Sequence, residues 1–136
     1  MSKALAIDYG QKRTGIAITD ALRIIASPLE TVDTAKIFDY LAKLIPAEKI
    51  TDIVVGEARH ADGSASEITL LQQTFCEQLK KKHPDVHIHR IDERNTSQLA
   101  AQALVMGGMK KSDRQKKENL DKVSAAIILQ YFLERR

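Results

Sequence analysis

Four acidic residues lie where predicted strands end or where a predicted helix begins. Asp8 ends the first apolar run of the chain, and Asp92 and Glu93 end a later run in which apolar and polar residues alternate. Asp121 lies in the first turn of an amphipathic segment near the C-terminus. Strand ends and helix starts can meet at one edge of a sheet, where ligands commonly bind. We therefore expect these carboxylates to lie close together.

Carboxylates that converge repel one another, and a bound divalent cation would relieve the repulsion. Mg²⁺ and Mn²⁺ fit this role because hard cations prefer oxygen ligands. Two such ions, about 3.5–4 Å apart, can hold the attacking water and the leaving oxygen of a phosphodiester. In this hypothesis Asp8 is the central ligand, and Gly10 allows backbone or substrate to approach closely. The predicted chemistry is metal-assisted hydrolysis of phosphodiester bonds.

Each acid also has a simpler local explanation. Asp8 can begin a turn, where aspartate is favoured. Asp92 or Glu93 can pair with Arg94 at a solvated strand end. Asp121 can interact favourably with the helix dipole as a first-turn acid. The evidence for a shared site is therefore the joint position of the acids and not any one of them.

A strongly basic segment precedes Asp121. Residues 110–117, KKSDRQKK, carry five cations and one acid, and two further cations, Lys12 and Arg13, follow Asp8 closely. One interpretation is a flexible phosphate clamp that becomes ordered on substrate, and the other is an ordinary solvated loop. The cations predicted to contact nucleic acid are Lys12, Arg13, Arg94, Lys110, Lys111, Arg114, Lys116 and Lys117.

Composition limits the class of protein. The chain has 136 residues and a net charge of +3, which suits one mildly basic domain over residues 1–136. Aromatic residues make up only 4%, so few rings are available to stack on bases, which favours recognition of the nucleic-acid backbone and shape. The single cysteine excludes an intramolecular disulfide. With no apolar run of membrane-spanning length and no signal-peptide pattern, we expect a cytoplasmic protein that does not enter the membrane.

The pattern of apolar residues predicts a mixed sheet. Five strands are predicted over residues 3–9, 14–19, 23–32, 50–58 and 86–93, and four helices over residues 34–45, 67–82, 96–106 and 120–133. The first three strands are joined by short connections and should be antiparallel, with Pro28 keeping the third at an edge. The last two strands each follow a helix, which implies parallel pairing through right-handed crossovers.

Helix ends and faces are predicted from the same pattern. Thr34 is a candidate N-cap and Pro46 a stop for the first helix. The apolar face of the second helix is predicted to comprise Leu70, Leu71, Phe75 and Leu79. On the last helix, Asp121 shares a face with Ala125, Ile128 and Phe132, so its carboxylate should point toward the sheet.

The whole chain resembles the YqgF/RuvX family of RNase H-like proteins. The matching stretches, in the family's order, are AIDYGQKRTGIAITD, DIVVGEARHADGSASE, IDERNTSQLA and DKVSAAIILQYFL. The resemblance implies an RNase H-like fold in which Asp8, Glu93 and Asp121 are catalytic and bind the metal. Asp92 adjoins Glu93 and is an alternative ligand or a supporting partner. Two departures affect loops, since many relatives have Gly-Leu-Pro where this chain has Gly56-Glu57-Ala58, and leucine where it has Asn95.

The resemblance implies a metal-dependent endonuclease, with either of two substrates. Family members are described as nucleases that mature the 5′ end of pre-16S rRNA and as Holliday-junction resolvases, so structured RNA and branched DNA are both expected partners. A monomer would suit RNA trimming and a homodimer would suit a junction. A non-catalytic nucleic-acid-binding module is a further alternative. An actin-like ATPase also begins with a strand that ends on an acidic residue and a glycine turn. Its two lobes, however, need a longer chain than this one.

Overall fold

The structure, a computed structural model, describes residues 2–96 and 117–135, with side chains of the last helix described from residue 121. One five-stranded sheet forms the centre of this part of the chain. The strands are β1 (Lys3–Tyr9), β2 (Arg13–Thr19), β3 (Ala26–Asp33), β4 (Ile50–Glu57) and β5 (His87–Asp92). The helices are α1 (Ile37–Ala47), α2 (Glu67–Lys82) and α3 (Lys117–Arg135), and short 3₁₀ turns cover Thr34–Lys36 and Glu93–Asn95.

The strand order confirms the predicted topology. The strands lie in the order β3-β2-β1-β4-β5, with β1, β2 and β3 antiparallel and β4 parallel to both β1 and β5. Pro28 lies in the edge strand, as predicted, where its missing N–H costs no ladder hydrogen bond. The parallel arrangement brings the C-terminal ends of β1, β4 and β5 to one edge of the sheet.

Alternation along β1 assigns the two faces of the sheet to different helices. Leu5 and Ile7 belong to a large aliphatic core shared with α1 and α2. Ala4 and Ala6 point to the other face and pack under α3. Because the residues on this second face are mostly alanines, the backbone of α3 can lie close to the sheet.

The buried face of α2 differs from the prediction. Its buried residues are Thr69, Gln72, Phe75, Cys76 and Leu79, whereas Leu70 is 64% exposed and Leu71 is 37% exposed. The polar members of this face hydrogen-bond to strand ends, as described below, and that bonding fixes the rotation of the helix. The apolar pattern was therefore correct for Phe75 and Leu79 and wrong for Leu70 and Leu71.

Smaller differences concern helix ends. Thr34 is not the N-cap of α1, because its hydroxyl donates to the carbonyl of Gly10 at 2.7 Å and it lies in the preceding 3₁₀ turn. Pro46 lies within the last turn of α1, which ends one residue later at Ala47. The predicted helix over residues 96–106 falls almost entirely outside the described residues. In the described ranges, no helix is both long enough and apolar enough to cross a membrane.

Candidate active site

Asp8 lies at the C-terminal end of β1, on the face covered by α3. It follows Ala4 and Ala6 at two-residue spacing, so its side chain points to the same face as theirs. The residue is only partly exposed. The apolar strand therefore carries one carboxylate to the edge of the sheet, beneath a helix.

Gly15 allows that helix to bring Asp121 next to Asp8. Gly15 is the register partner of Asp8 on β2. A Cβ atom at position 15 would lie 2.1 Å from the backbone oxygen of Asp121, far closer than two non-bonded atoms can approach. The absence of a side chain at Gly15 therefore lets α3 rest directly on β2 at Asp121.

Gly56 has the equivalent role for Glu93. Glu93 begins the 3₁₀ turn that follows β5. A Cβ atom at position 56 would lie 2.9 Å from both Cγ and Cδ of Glu93, and 2.9 Å from Cδ1 of Ile128 on α3. The side chain of Glu93 thus passes over Gly56 toward the face that carries Asp8.

The electrostatics of Asp8 reflect the nearness of Glu93 and Asp121. Burial raises the pKa of Asp8 well above its ordinary value, and the charge of Glu93, a hydrogen bond with Glu93 and the charge of Asp121 raise it further. A raised pKa means that the cluster favours a proton on Asp8, as expected where neighbouring carboxylates cannot all be ionised.

Arg13 partly neutralises the same cluster. Its Nε lies 3.5 Å from Oδ2 of Asp121, and both side chains are about one-third exposed, at 32% and 29%. Arg13 was predicted to contact nucleic acid, and in the structure it contacts the carboxylate of Asp121. Lys12, the neighbouring predicted contact, is exposed.

Asp92 points away from this cluster. Its carboxylate accepts hydrogen bonds from the backbone N–H of Arg94 at 2.9 Å and from Nη2 of the same arginine at 2.6 Å. These hydrogen bonds hold the pKa of Asp92 below its usual value. In β5, Asp92 pairs with Glu57, and Glu57 follows Val55 of the α1/α2 core at two-residue spacing, so Asp92 lies on the face opposite Asp8.

The three carboxylates have the ligand chemistry that a hard divalent cation needs, but they are not grouped tightly enough in the structure to hold one ion. Asp8, Glu93 and Asp121 offer only carboxylate oxygens, which Mg²⁺ and Mn²⁺ prefer. Across the described parts of the chain, however, no three acidic, histidine or cysteine side chains are grouped tightly enough to hold an ion. The guanidinium of Arg13 offsets part of the negative charge instead, and the cluster favours a proton on Asp8. Side-chain movements are required before these oxygens share one ion.

Two kinds of residue were missed by the sequence pattern. Gly15 and Gly56 lie inside strands and gave no turn signal, yet each makes room for a site residue. Gln72 is 1% exposed and donates from Nε2 to Oε2 of Glu93 at 3.2 Å. Its spacing of three and seven residues before Phe75 and Leu79 places it on the buried face, and that spacing could have identified it.

Four predicted nucleic-acid contacts lie outside the described residues: Lys110, Lys111, Arg114 and Lys116. Lys117 begins α3, but its side chain is not among those described. The basic segment therefore stays a prediction from the sequence.

Comparison with known proteins connects this site to a family. A family model described as RuvX, Holliday junction resolvase, matches residues 2–135. The chain belongs to the RuvX family. This RuvX chain is 48% identical over 134 residues to a Phocaeicola vulgatus protein named "Putative pre-16S rRNA nuclease", covering 98% of the chain and 96% of its relative.

Solved structures confirm the RNase H-like fold of this RuvX chain. RuvC of Thermus thermophilus, solved with a Holliday junction substrate, matches with a TM-score of 0.64 at 12% identity, over 99% of this chain and 98% of RuvC. The yeast mitochondrial Holliday junction resolvase Ydc2 matches with a TM-score of 0.60 at 12% identity, over 97% of this chain and 78% of Ydc2. At such identities the likeness concerns the fold.

Proposed function

We propose that this RuvX protein is a metal-dependent endonuclease that hydrolyses phosphodiester bonds in structured RNA. The observation that supports it is the convergence of Asp8, Glu93 and Asp121 at one sheet edge, with a raised pKa at Asp8. Carboxylates that repel one another at a partly open edge are suited to a cation that neutralises them. A non-catalytic binding module would need the basic segment, but it would not need a cluster of carboxylates that repel one another.

Asp8, Glu93 and Asp121 are the proposed ligands for Mg²⁺ or Mn²⁺, with Asp8 as the central ligand. When bound, the metal supplies a nucleophilic water and charge stabilisation at the phosphate. In this role Asp8 would bind the metal as a carboxylate, against the tendency of its raised pKa, and Asp121 would give up its contact with Arg13. Arg13 is then available to contact a substrate phosphate. Asp92 supports the site indirectly by holding Arg94.

The proposed substrate is the 5′ region of pre-16S rRNA. Relatives that match nearly the whole chain are named "Putative pre-16S rRNA nuclease". This substrate implies a reaction in the cytoplasm and a part in ribosome biogenesis. We also propose that residues 1–136 form one nuclease domain, because a single sheet collects all the described strands and the family model spans nearly the full length.

A Holliday junction is the second candidate substrate. It is favoured by the description of the matching family model. RNA trimming needs one active site, whereas symmetric junction cleavage needs two, so a monomer fits the first candidate and a homodimer the second.

The test is cleavage of both substrates by the purified protein. A pre-16S rRNA 5′ fragment and a four-way DNA junction are incubated with Mg²⁺ or Mn²⁺, with EDTA, and with the Asp8→Asn variant. We expect metal-dependent cleavage of the RNA, abolished by EDTA and by Asp8→Asn. Cleavage of the junction alone would support the second candidate. Metal-independent cleavage, or equal activity in the Asp8→Asn variant, would contradict the proposed site.

A further inference from the structure

One buried amide hydrogen-bonds to the ends of three strands, β1, β4 and β5, at the edge of the sheet where the candidate active site lies. Gln72 of α2 is 1% exposed. Its Oε1 accepts from the backbone N–H of Ala58, just beyond β4, at 2.8 Å. Its Nε2 donates to the carbonyl of Tyr9, at the end of β1, at 3.1 Å, and to Oε2 of Glu93, just beyond β5, at 3.2 Å.

The backbone fixes the orientation of this amide. The N–H of Ala58 can only donate and the carbonyl of Tyr9 can only accept, so a flipped amide would face a donor with a donor and an acceptor with an acceptor. The orientation that satisfies both places an N–H against Glu93. Gln72 can therefore donate to Glu93 without any rearrangement of its own.

We propose that Gln72 is a positioning residue that holds the Glu93 carboxylate in place for metal binding. The proposal rests on the function proposed above, in which Glu93 is a ligand. The hydrogen bond occupies one oxygen of Glu93 and restricts rotation of a side chain that begins in a short 3₁₀ turn. Groups that hydrogen-bond to metal ligands orient them, and their loss typically costs about 10–100-fold in metal affinity or activity.

A purely structural role is the competing explanation, and the chain offers a matched control for it. Thr69 also lies on the buried face of α2, and its hydroxyl donates to the carbonyl of the same Ala58. It has no hydrogen bond to Glu93 among those described. Removing either polar group breaks one hydrogen bond between α2 and the end of β4, but only the loss of Gln72 releases Glu93.

The experiment compares Gln72→Met with Thr69→Val in the full-length protein. Both variants should lower the melting temperature, since each leaves buried backbone groups without a partner. Mn²⁺ binding is measured without nucleic acid by water-proton relaxation, and the Mg²⁺ concentration for half-maximal cleavage is measured with substrate. We expect Gln72→Met to weaken Mn²⁺ binding and to raise the Mg²⁺ requirement about 10-fold or more. Thr69→Val should change neither by more than about 2-fold.

A second variant guards against misfolding. Gln72→Leu removes the same hydrogen bonds with a second apolar side chain of similar size, so a defect that both variants share comes from the lost amide and not from the packing of one replacement side chain. Gln72→Leu should show the same metal defect as Gln72→Met while it still unfolds in a single cooperative transition.

The outcomes separate the two proposals. If both Gln72 variants bound metal and cleaved like Thr69→Val, the positioning role would be wrong while the nuclease assignment stood. If the wild type bound Mn²⁺ through Asp8 but cleaved neither substrate, the nuclease assignment would fail, and a binding defect confined to the Gln72 variants would still support the positioning role. A wild type that neither bound nor cleaved would overturn both.

Discussion

At the scale of residues, the raised pKa of Asp8 means that its charged form lowers the stability of the folded protein. A carboxyl group with an ordinary pKa near 3.9 in the unfolded chain titrates higher in the folded protein, because burial and two neighbouring acids oppose its charge. The folded state therefore binds more protons than the unfolded state between those two pKa values. Stability consequently falls as the pH rises through this interval, and the loss is complete above the folded pKa.

Replacing Asp8 by asparagine should remove that loss of stability and abolish cleavage. Asparagine is neutral at every pH and can still donate a hydrogen bond to Glu93. In EDTA at pH 7, we expect Asp8→Asn to have a higher melting temperature than the wild type. The difference should shrink as the pH is lowered toward and below about 4, because Asp8 then becomes protonated in the unfolded chain as well as in the folded protein.

The control for this prediction is Asp85→Asn, which removes one negative charge from an exposed residue before β5, at the end away from the site. Thermal unfolding of the three proteins across this pH range makes the comparison. A melting temperature for Asp8→Asn below that of the wild type at pH 7 would show that the carboxylate of Asp8 is stabilising.

At the scale of elements, two glycines set the distance between the sheet and the groups above it. Gly15 faces backbone atoms of α3, which cannot move without moving the helix. Gly56 faces the ends of two side chains, Glu93 and Ile128, which can rotate aside. The two positions therefore should differ in what an added methyl group disturbs.

This contrast predicts that two alanine substitutions differ in their effect on stability. Gly15→Ala should destabilise the fold by about 1–3 kcal/mol or more, because overpacking displaces α3. Gly56→Ala should change stability little, since side-chain displacement is offset by about 0.4–1 kcal/mol from the less flexible unfolded chain. Both should lose most of their cleavage activity, because Asp121 moves in the first and Glu93 in the second.

Denaturant unfolding and cleavage rates at saturating Mg²⁺ measure these two effects. Full activity of Gly56→Ala would mean that the position of Glu93 over Gly56 does not matter for catalysis. A Gly15→Ala variant as stable as the wild type would mean that α3 does not depend on close contact with β2.

At the scale of the whole molecule, the distribution of cations determines where a nucleic acid would bind. The net charge is only +3, so attraction to a polyanion must come from a local concentration of positive charge. The densest run of cations, residues 110–117, immediately precedes the helix that carries Asp121. We expect this segment to bind phosphates beside the active site.

Replacing Lys110, Lys111, Lys116 and Lys117 by serine should weaken substrate binding with little change in thermal stability. Each lost phosphate contact should flatten the salt dependence of binding by about 0.9 in log–log slope on duplex DNA, or about 0.7 on single strands. Binding titrations at several salt concentrations measure this slope. Asp8→Asn serves as the comparison, since it should stop cleavage while keeping most of the salt-dependent binding. An unchanged slope in the serine variant would favour the solvated-loop interpretation.

Much of this molecule could be predicted from the sequence alone. Runs of β-branched and apolar residues predicted all five strands, and the lengths of the connections predicted which pairs are antiparallel and which are parallel. The face shared by Asp121, Ala125 and Ile128 was also correct, because helical periodicity is a local property of the chain. These features depend on residues close together in the sequence, so the local pattern was sufficient.

Only the tertiary structure showed which of Asp92 and Glu93 lies on the same face of the sheet as Asp8. The side chains of neighbouring residues in a strand point to opposite faces of the sheet. The register that pairs Gly56 with Ile91 determines on which face Asp92 and Glu93 each lie. The same holds for α2, where hydrogen bonds from Thr69 and Gln72 to Ala58 fix the rotation that leaves Leu70 exposed. Register and helix rotation are set by contacts between residues far apart in the chain, which no local pattern contains.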